Sequence, residues 1–191
     1  MTATKITPGL ITSVAGVAGG GAWNLIGTVV ANNSATVTFT GLGTTYAAYG
    51  LICSDMIPSS AGTGIVLRVG DSSGIDSGTS DYGYHCGKSG SNSASYSAQA
   101  HATRAHIHMA LSVNTGAYGA SISGFLTGGF NAGDFFYAHG TSAVRDTGAD
   151  IRGGQWLGAR LAVITVDRVQ VLCETGNITS GRVSLWGIAN A

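Results

Sequence analysis

Short runs in which apolar and polar residues alternate recur along most of this chain, and that period-two pattern limits its fold more than any other feature. In residues 35–40, Ala35, Val37 and Phe39 fall on one side and three threonines on the other. In 64–69, Ile65, Leu67 and Val69 oppose Val66 and Arg68. In 105–111, Ile107, Met109 and Leu111 oppose His106 and His108. In 168–173, Val169, Val171 and Cys173 oppose Arg168, Gln170 and Leu172. Successive side chains of a strand point to opposite faces, so runs like these make half-buried strands. Further strands are expected over 23–30, 46–53, 80–86, 118–126, 133–140, 158–166 and the closing segment 177–191. No stretch holds a helical apolar pattern without glycine or β-branched interruptions. Loops rich in Gly, Ser, Asn and Asp separate the runs. The expected fold is an all-β, antiparallel, jelly-roll-like sandwich of about ten strands. There is no fixed-period repeat and no heptad stalk. Residues 1–21 read as an extended arm ending in three glycines, and 22–191 as a single sandwich domain.

The closing strand raises a packing problem. Val183 and Leu185 point one way; Arg182, Ser184, Trp186 and Ile188 point the other. A bare edge carrying Trp and Ile would invite aggregation. The strand is therefore expected inside the sheet, with Trp186 and Ile188 on an assembly seam. Ile6, Leu10, Ile11, Val14 and Val17 make the arm apolar and add it to the expected interface.

Composition points the same way. Hydrophobic residues make up 44% of the 191 and charged residues only 9%, against roughly 25% charge in ordinary domains. Nine basic and nine acidic residues cancel. Without a basic stretch there is no electrostatic footprint for nucleic acid. No apolar run reaches the roughly 20 residues of a membrane helix, and no membrane partner is expected. A nearly uncharged surface protects poorly against self-association, so a homo-oligomer within a larger assembly is expected. Cys53, Cys86 and Cys173 are odd in number and far apart, which reads as free buried thiols.

No cofactor is expected, but two clusters are candidates for ion binding. His106 and His108, two apart on a strand, share a face and could chelate a metal; in a trimer three such pairs would supply six nitrogens. An outward polar face explains them as well. Asp71, Asp76 and Asp81 are spaced five apart in a loop, but lack the alternating acidic pattern and closing Glu of a calcium loop, so a solvated hairpin loop is the plainer reading. Gly87–Lys88–Ser89 lacks the earlier glycine of a phosphate loop, and no helix follows. There is no nucleophile elbow, and His85 and Cys86 point to opposite faces of a strand. Glu174 is the sole glutamate, and nothing marks a carboxylate pair for sugar hydrolysis. Tyr46, Tyr49, Tyr82, Tyr84 and Trp156 could line a sugar-binding surface but read better as core. The chain is not expected to be an enzyme.

The order of segments adds a resemblance. Trp23 after the glycine run, "ATVTFTGL", "TTYAAYGLI", "IPSSAGTGIVLRV", "IDSGTSDYGY" and the closing "GNITSGRVSLWGIAN" resemble a family of tailed-bacteriophage virion proteins. The likeness runs over about residues 19–190 and is weakest between 90 and 150. That resemblance implies a jelly-roll sandwich in a phage particle, often trimeric, with no catalytic residues. A capsid decoration (cement) protein that binds the major capsid protein lattice is the leading expectation. A tail- or head-fibre tip that binds host glycans is the alternative, and a polysaccharide depolymerase the remote one. The expected location is the virion, assembled in the bacterial cytoplasm.

Overall fold

The computed structural model describes residues 22–91, 93–116, 119–146, 148 and 150–189. Ile6, Leu10, Ile11, Val14 and Val17 lie outside them. Within them the chain is all-β: β1 (Trp23–Ser34), β2 (Thr36–Thr40), β3 (Ala48–Pro58), β4 (Thr63–Asp71), β5 (Gly74–Ile75), β6 (Tyr82–Gly90), β7 (Ser93–Arg104), β8 (Ile107–Val113), β9 (Ala120–Thr127), β10 (Tyr137–Arg145), β11 (Ile151–Arg160), β12 (Arg168–Cys173) and β13 (Ile178–Ile188).

Two antiparallel sheets face each other. The larger runs β1-β13-β3-β9-β10-β11-β6-β7; the smaller runs β2-β12-β4, with β5 at one end of β4 and β8 beside it. The orders β1-β13-β3-β9 and β2-β12-β4-β8 are the two interleaved four-stranded sheets of a jelly roll. The remaining long strands, β10, β11, β6 and β7, extend the larger sheet. As expected, β13 is an inner strand, held between β1 and β3.

Thirteen strands replace the expected ten or so. β7 was missed because in SASYSAQAHATR the alternating positions are filled by Tyr96 and small alanines, a weak apolar signal; it pairs with β6 along the sheet edge. The strand expected over 158–166 lies earlier, at Ile151–Arg160. Glycines disguise it. A Cβ on Gly154 would run into the backbone carbonyl of Gly87 in β6, so close strand approach needs glycine there.

The core lies between the sheets. Trp156, Tyr49, Tyr82, Phe136, Leu51, Met56 and Leu67 are its largest fully buried members. Each such side chain contributes about 1.5–3 kcal/mol on burial. β8 is buried on both faces because it lies in the smaller sheet and packs beneath β6, β10 and β11. A Cβ on Gly158 of β11 would stand 2.6 Å from Ile107 Cγ2, so a glycine lets the two layers meet. β8 begins opposite Leu67 and β5 pairs from Gly70, so Val69 lies in the gap between them. The Tyr82 hydroxyl takes over: Val69 N–H donates to it at 2.9 Å, and it donates to the Val69 carbonyl, also at 2.9 Å.

Candidate functional site

The outer face of the larger sheet carries a row of directly opposed residues that crosses six strands. Register places Leu25 opposite Trp186, Trp186 opposite Gly50, Gly50 opposite Phe125, Phe125 opposite His139 and His139 opposite Leu157. Opposed residues share a face, so the row is continuous. Trp23 lies across Gly50, where a Cβ would fall inside the indole, and meets Phe125 edge to face. Leu25 (53%), Trp23 (43%), Phe125 (39%) and Leu157 (54%) are open to solvent. Trp186 and Ile188 stand on this same face, half-buried.

A mostly polar row runs beside the apolar one: Thr28, Ser184, Ser123, Thr141 and Gln155, with exposed Ile52 between Ser184 and Ser123. Thr28 and Ser184 hydroxyls bond at 2.9 Å, and those of Ser123 and Thr141 at 3.3 Å. Between the rows lies an open trough of about 540 Å³, lined by Trp23, Ile52, Phe125, His139, Gln155 and Leu157 among others. Its floor is thin. Gly124 and Gly140 lie opposite one another, and Trp156 packs beneath both from the core side.

The histidine pair has a different setting from the one expected. His108 is only 4% exposed, because both faces of β8 are covered. His106 precedes the strand and is half-buried. The outward polar face is thus overturned, and a six-nitrogen trimer site has no surface to form on. Instead the pair faces Glu174 of its own chain. The Nε2 atoms lie 3.1 Å apart, with Glu174 Oε1 at 3.8 Å from His106 and 3.6 Å from His108. Sequence reasoning noted Glu174 but could not join it to the pair, since 66 residues separate it from His108. Its position is fixed by backbone: Glu174 N–H donates to the Gly64 carbonyl at 2.9 Å. Burial lowers both histidines to about 4; for His106 the neighbouring His108 adds to this against Glu174, and for His108 the charges of His101 and Arg104 do so.

The aspartate loop is occupied by protein groups. Asp76 Oδ2 accepts from Arg160 Nε at 2.7 Å, and Asp81 pairs with the same guanidinium at 3.4 Å. Asp71 Oδ1 accepts from Ser73 N–H and Oγ–H at 2.8 and 2.6 Å. Asp71 organises the β4–β5 turn, and Asp76 and Asp81 the β5–β6 connection. Tyr49, Tyr82, Tyr84 and Trp156 are core residues and Tyr46 packs against the core, so no sugar surface forms from them. Cys53, Cys86 and Cys173 are free and buried. Burial pushes their thiols up to about 12, 12 and 11.

No protein-family model, curated protein or solved structure matches this chain. Two surfaces of the chain itself therefore carry the functional reading: the apolar row with its trough, and the His–His–Glu cluster.

Proposed function

We propose that this chain is a structural protein of a tailed-phage particle, most simply a capsid decoration protein that binds the shell lattice, as a homo-oligomer, through the outer face of its larger sheet. The carrying observation is the row in which exposed Leu25, Phe125 and Leu157 flank half-buried Trp186 and His139, with exposed Trp23 across it. A contiguous exposed apolar patch is the mark of an interaction surface. Little charge surrounds it, which suits a permanent contact, since obligate interfaces are more apolar than transient ones. The segment resemblance supplies the phage setting.

A second reading draws on the trough. Trp23 and Phe125 offer ring faces beside Gln155, Thr141, Ser123 and His139, a mixture of aromatic and hydrogen-bonding groups that suits a sugar. This is the fibre tip that reads host glycans.

Quantitative mass spectrometry of purified particles tests both. Copies in proportion to the shell lattice support decoration, whereas a few copies per particle together with glycan binding support the fibre tip. Absence from particles overturns both.

A further inference from the structure

We infer that His106, His108 and Glu174 form a binding site for one first-row divalent transition-metal ion, of which Zn²⁺ is the reference occupant. The site lies inside one chain, away from the outer face.

Geometry is the main ground. The three ligand atoms form a triangle with sides of 3.1, 3.6 and 3.8 Å. A circle through its corners has a radius of about 2.0 Å, so one point is ~2.0 Å from both nitrogens and the oxygen, the distance at which Zn²⁺ binds imidazole and carboxylate. Seen from that in-plane point the pairs subtend about 100°, 124° and 137°, and an ion displaced slightly from the plane toward a fourth ligand approaches tetrahedral geometry. The rings are aimed correctly: their centroids are 4.9 Å apart while the Nε2 atoms are 3.1 Å apart. That difference of 1.8 Å means that both Nε2 atoms point inward, toward each other.

The surroundings fix the ligands. β8 holds His108 opposite Val66 of β4. Arg68 Nε donates to the Ala105 carbonyl at 3.0 Å, which anchors the residue before His106. Thr175 N–H donates to Thr63 Oγ1 at 2.9 Å and holds the turn that carries Glu174. Gly64 makes room for the His108 ring, since a Cβ there would stand 2.7 Å from Nδ1. Ligands on a strand and on a braced turn are already in place before an ion arrives.

Chemistry selects the ion. Two neutral imidazoles and one carboxylate suit zinc and its first-row neighbours, whereas magnesium and calcium prefer oxygen. Glu174 is 46% exposed on its side chain, so the ion can enter from that side, and a fourth ligand can reach it. The bound ion ties the start of β8 to the β12–β13 turn.

The test uses the full chain, stripped with chelator and dialysed. Calorimetric titration with ZnCl₂ should show one equivalent bound, with a concentration-dependent rise in melting temperature. Co²⁺ should give the visible bands of a four- or five-coordinate ion. His108→Ala opens a buried space and can unfold the chain, so Glu174→Gln and His106→Asn carry the test, with circular dichroism to check the fold. Each should weaken Zn²⁺ binding by more than about tenfold, since even outer-sphere changes cost 10–100-fold. A folded wild-type chain that binds neither Zn²⁺ nor Co²⁺ stoichiometrically overturns the site, as does binding unchanged in both variants. The alternative is then a plain hydrogen bond between two neutral rings.

Discussion

The Trp23 indole meets the Phe125 ring edge to face, with 5.9 Å between centroids and 64° between planes. Trp23 begins β1 at one edge of the larger sheet, and Phe125 belongs to its fourth strand. An exposed aromatic pair of this kind orders a surface that solvent would otherwise leave loose.

The first prediction concerns that surface. Phe125→Ser with Leu157→Ser removes apolar area from residues that are already open to water. Folding stability should change by less than about 1 kcal/mol, as for ordinary surface changes. Oligomeric state should shift toward monomer, as read by light scattering after gel filtration. An unchanged oligomer would move the self-association interface off this face.

The second concerns Tyr82. Its hydroxyl serves both backbone groups of Val69 where β8 does not reach. Tyr82→Phe leaves a buried N–H unpaired and should cost about 1–3 kcal/mol. Urea unfolding measures this. A loss within a few tenths would mean that water replaces the hydroxyl.

The third follows from thiol burial. With the thiols pushed up to about 11 and 12, almost no thiolate exists near pH 8, and thiolate is the reactive form. A disulfide-exchange reagent should label none of the three cysteines in the native chain and all of them in denaturant. Fast native labelling of any one would contradict its burial.

The fourth concerns acid. The folded histidine pair titrates near 4, whereas an unfolded histidine titrates near 6.5. Between those values the unfolded chain binds more protons than the folded one, so stability falls as pH falls. The pair's contribution is intact above pH 6.5 and lost progressively toward pH 4, on the order of 3 kcal/mol for each histidine. Burial sets most of the shift; His108, Arg68 and Arg104 add to it at His106 against Glu174, His101 and Arg104 add to it at His108, and the Tyr84 ring packs on His108. Urea midpoints in chelator at pH 7 and pH 4.5 read this directly. His106→Asn should flatten the slope; parallel slopes would place the acid sensitivity elsewhere.

Much of the fold was legible in the sequence because β-strands announce themselves locally. Val37 and Phe39; Ile65, Leu67 and Val69; Val169, Val171 and Cys173; and Val183 with Leu185 all face the core, as alternation required. The signal was faint at β7, where small alanines alternate with polar residues, and broken at β11, where glycines interrupt the pattern. There the partner strand supplies the hydrogen bonds that local pattern does not advertise. Alternation also misjudged His108. A polar residue in an alternating strand normally faces water, but β8 is covered on both sides.

By itself the sequence determined the fold class, the inner position of its last strand and the scarcity of charge. These depend on side-chain period and composition, which are properties of the chain in order. Only tertiary structure decided which residues from distant strands stand together. It aligned Leu25, Trp186, Phe125 and Leu157 into one row through strand register. It carried Glu174 to His106 and His108 through the braced turn after β12. Register and sheet packing are set by long-range pairing, and no local pattern of residues encodes that partner choice.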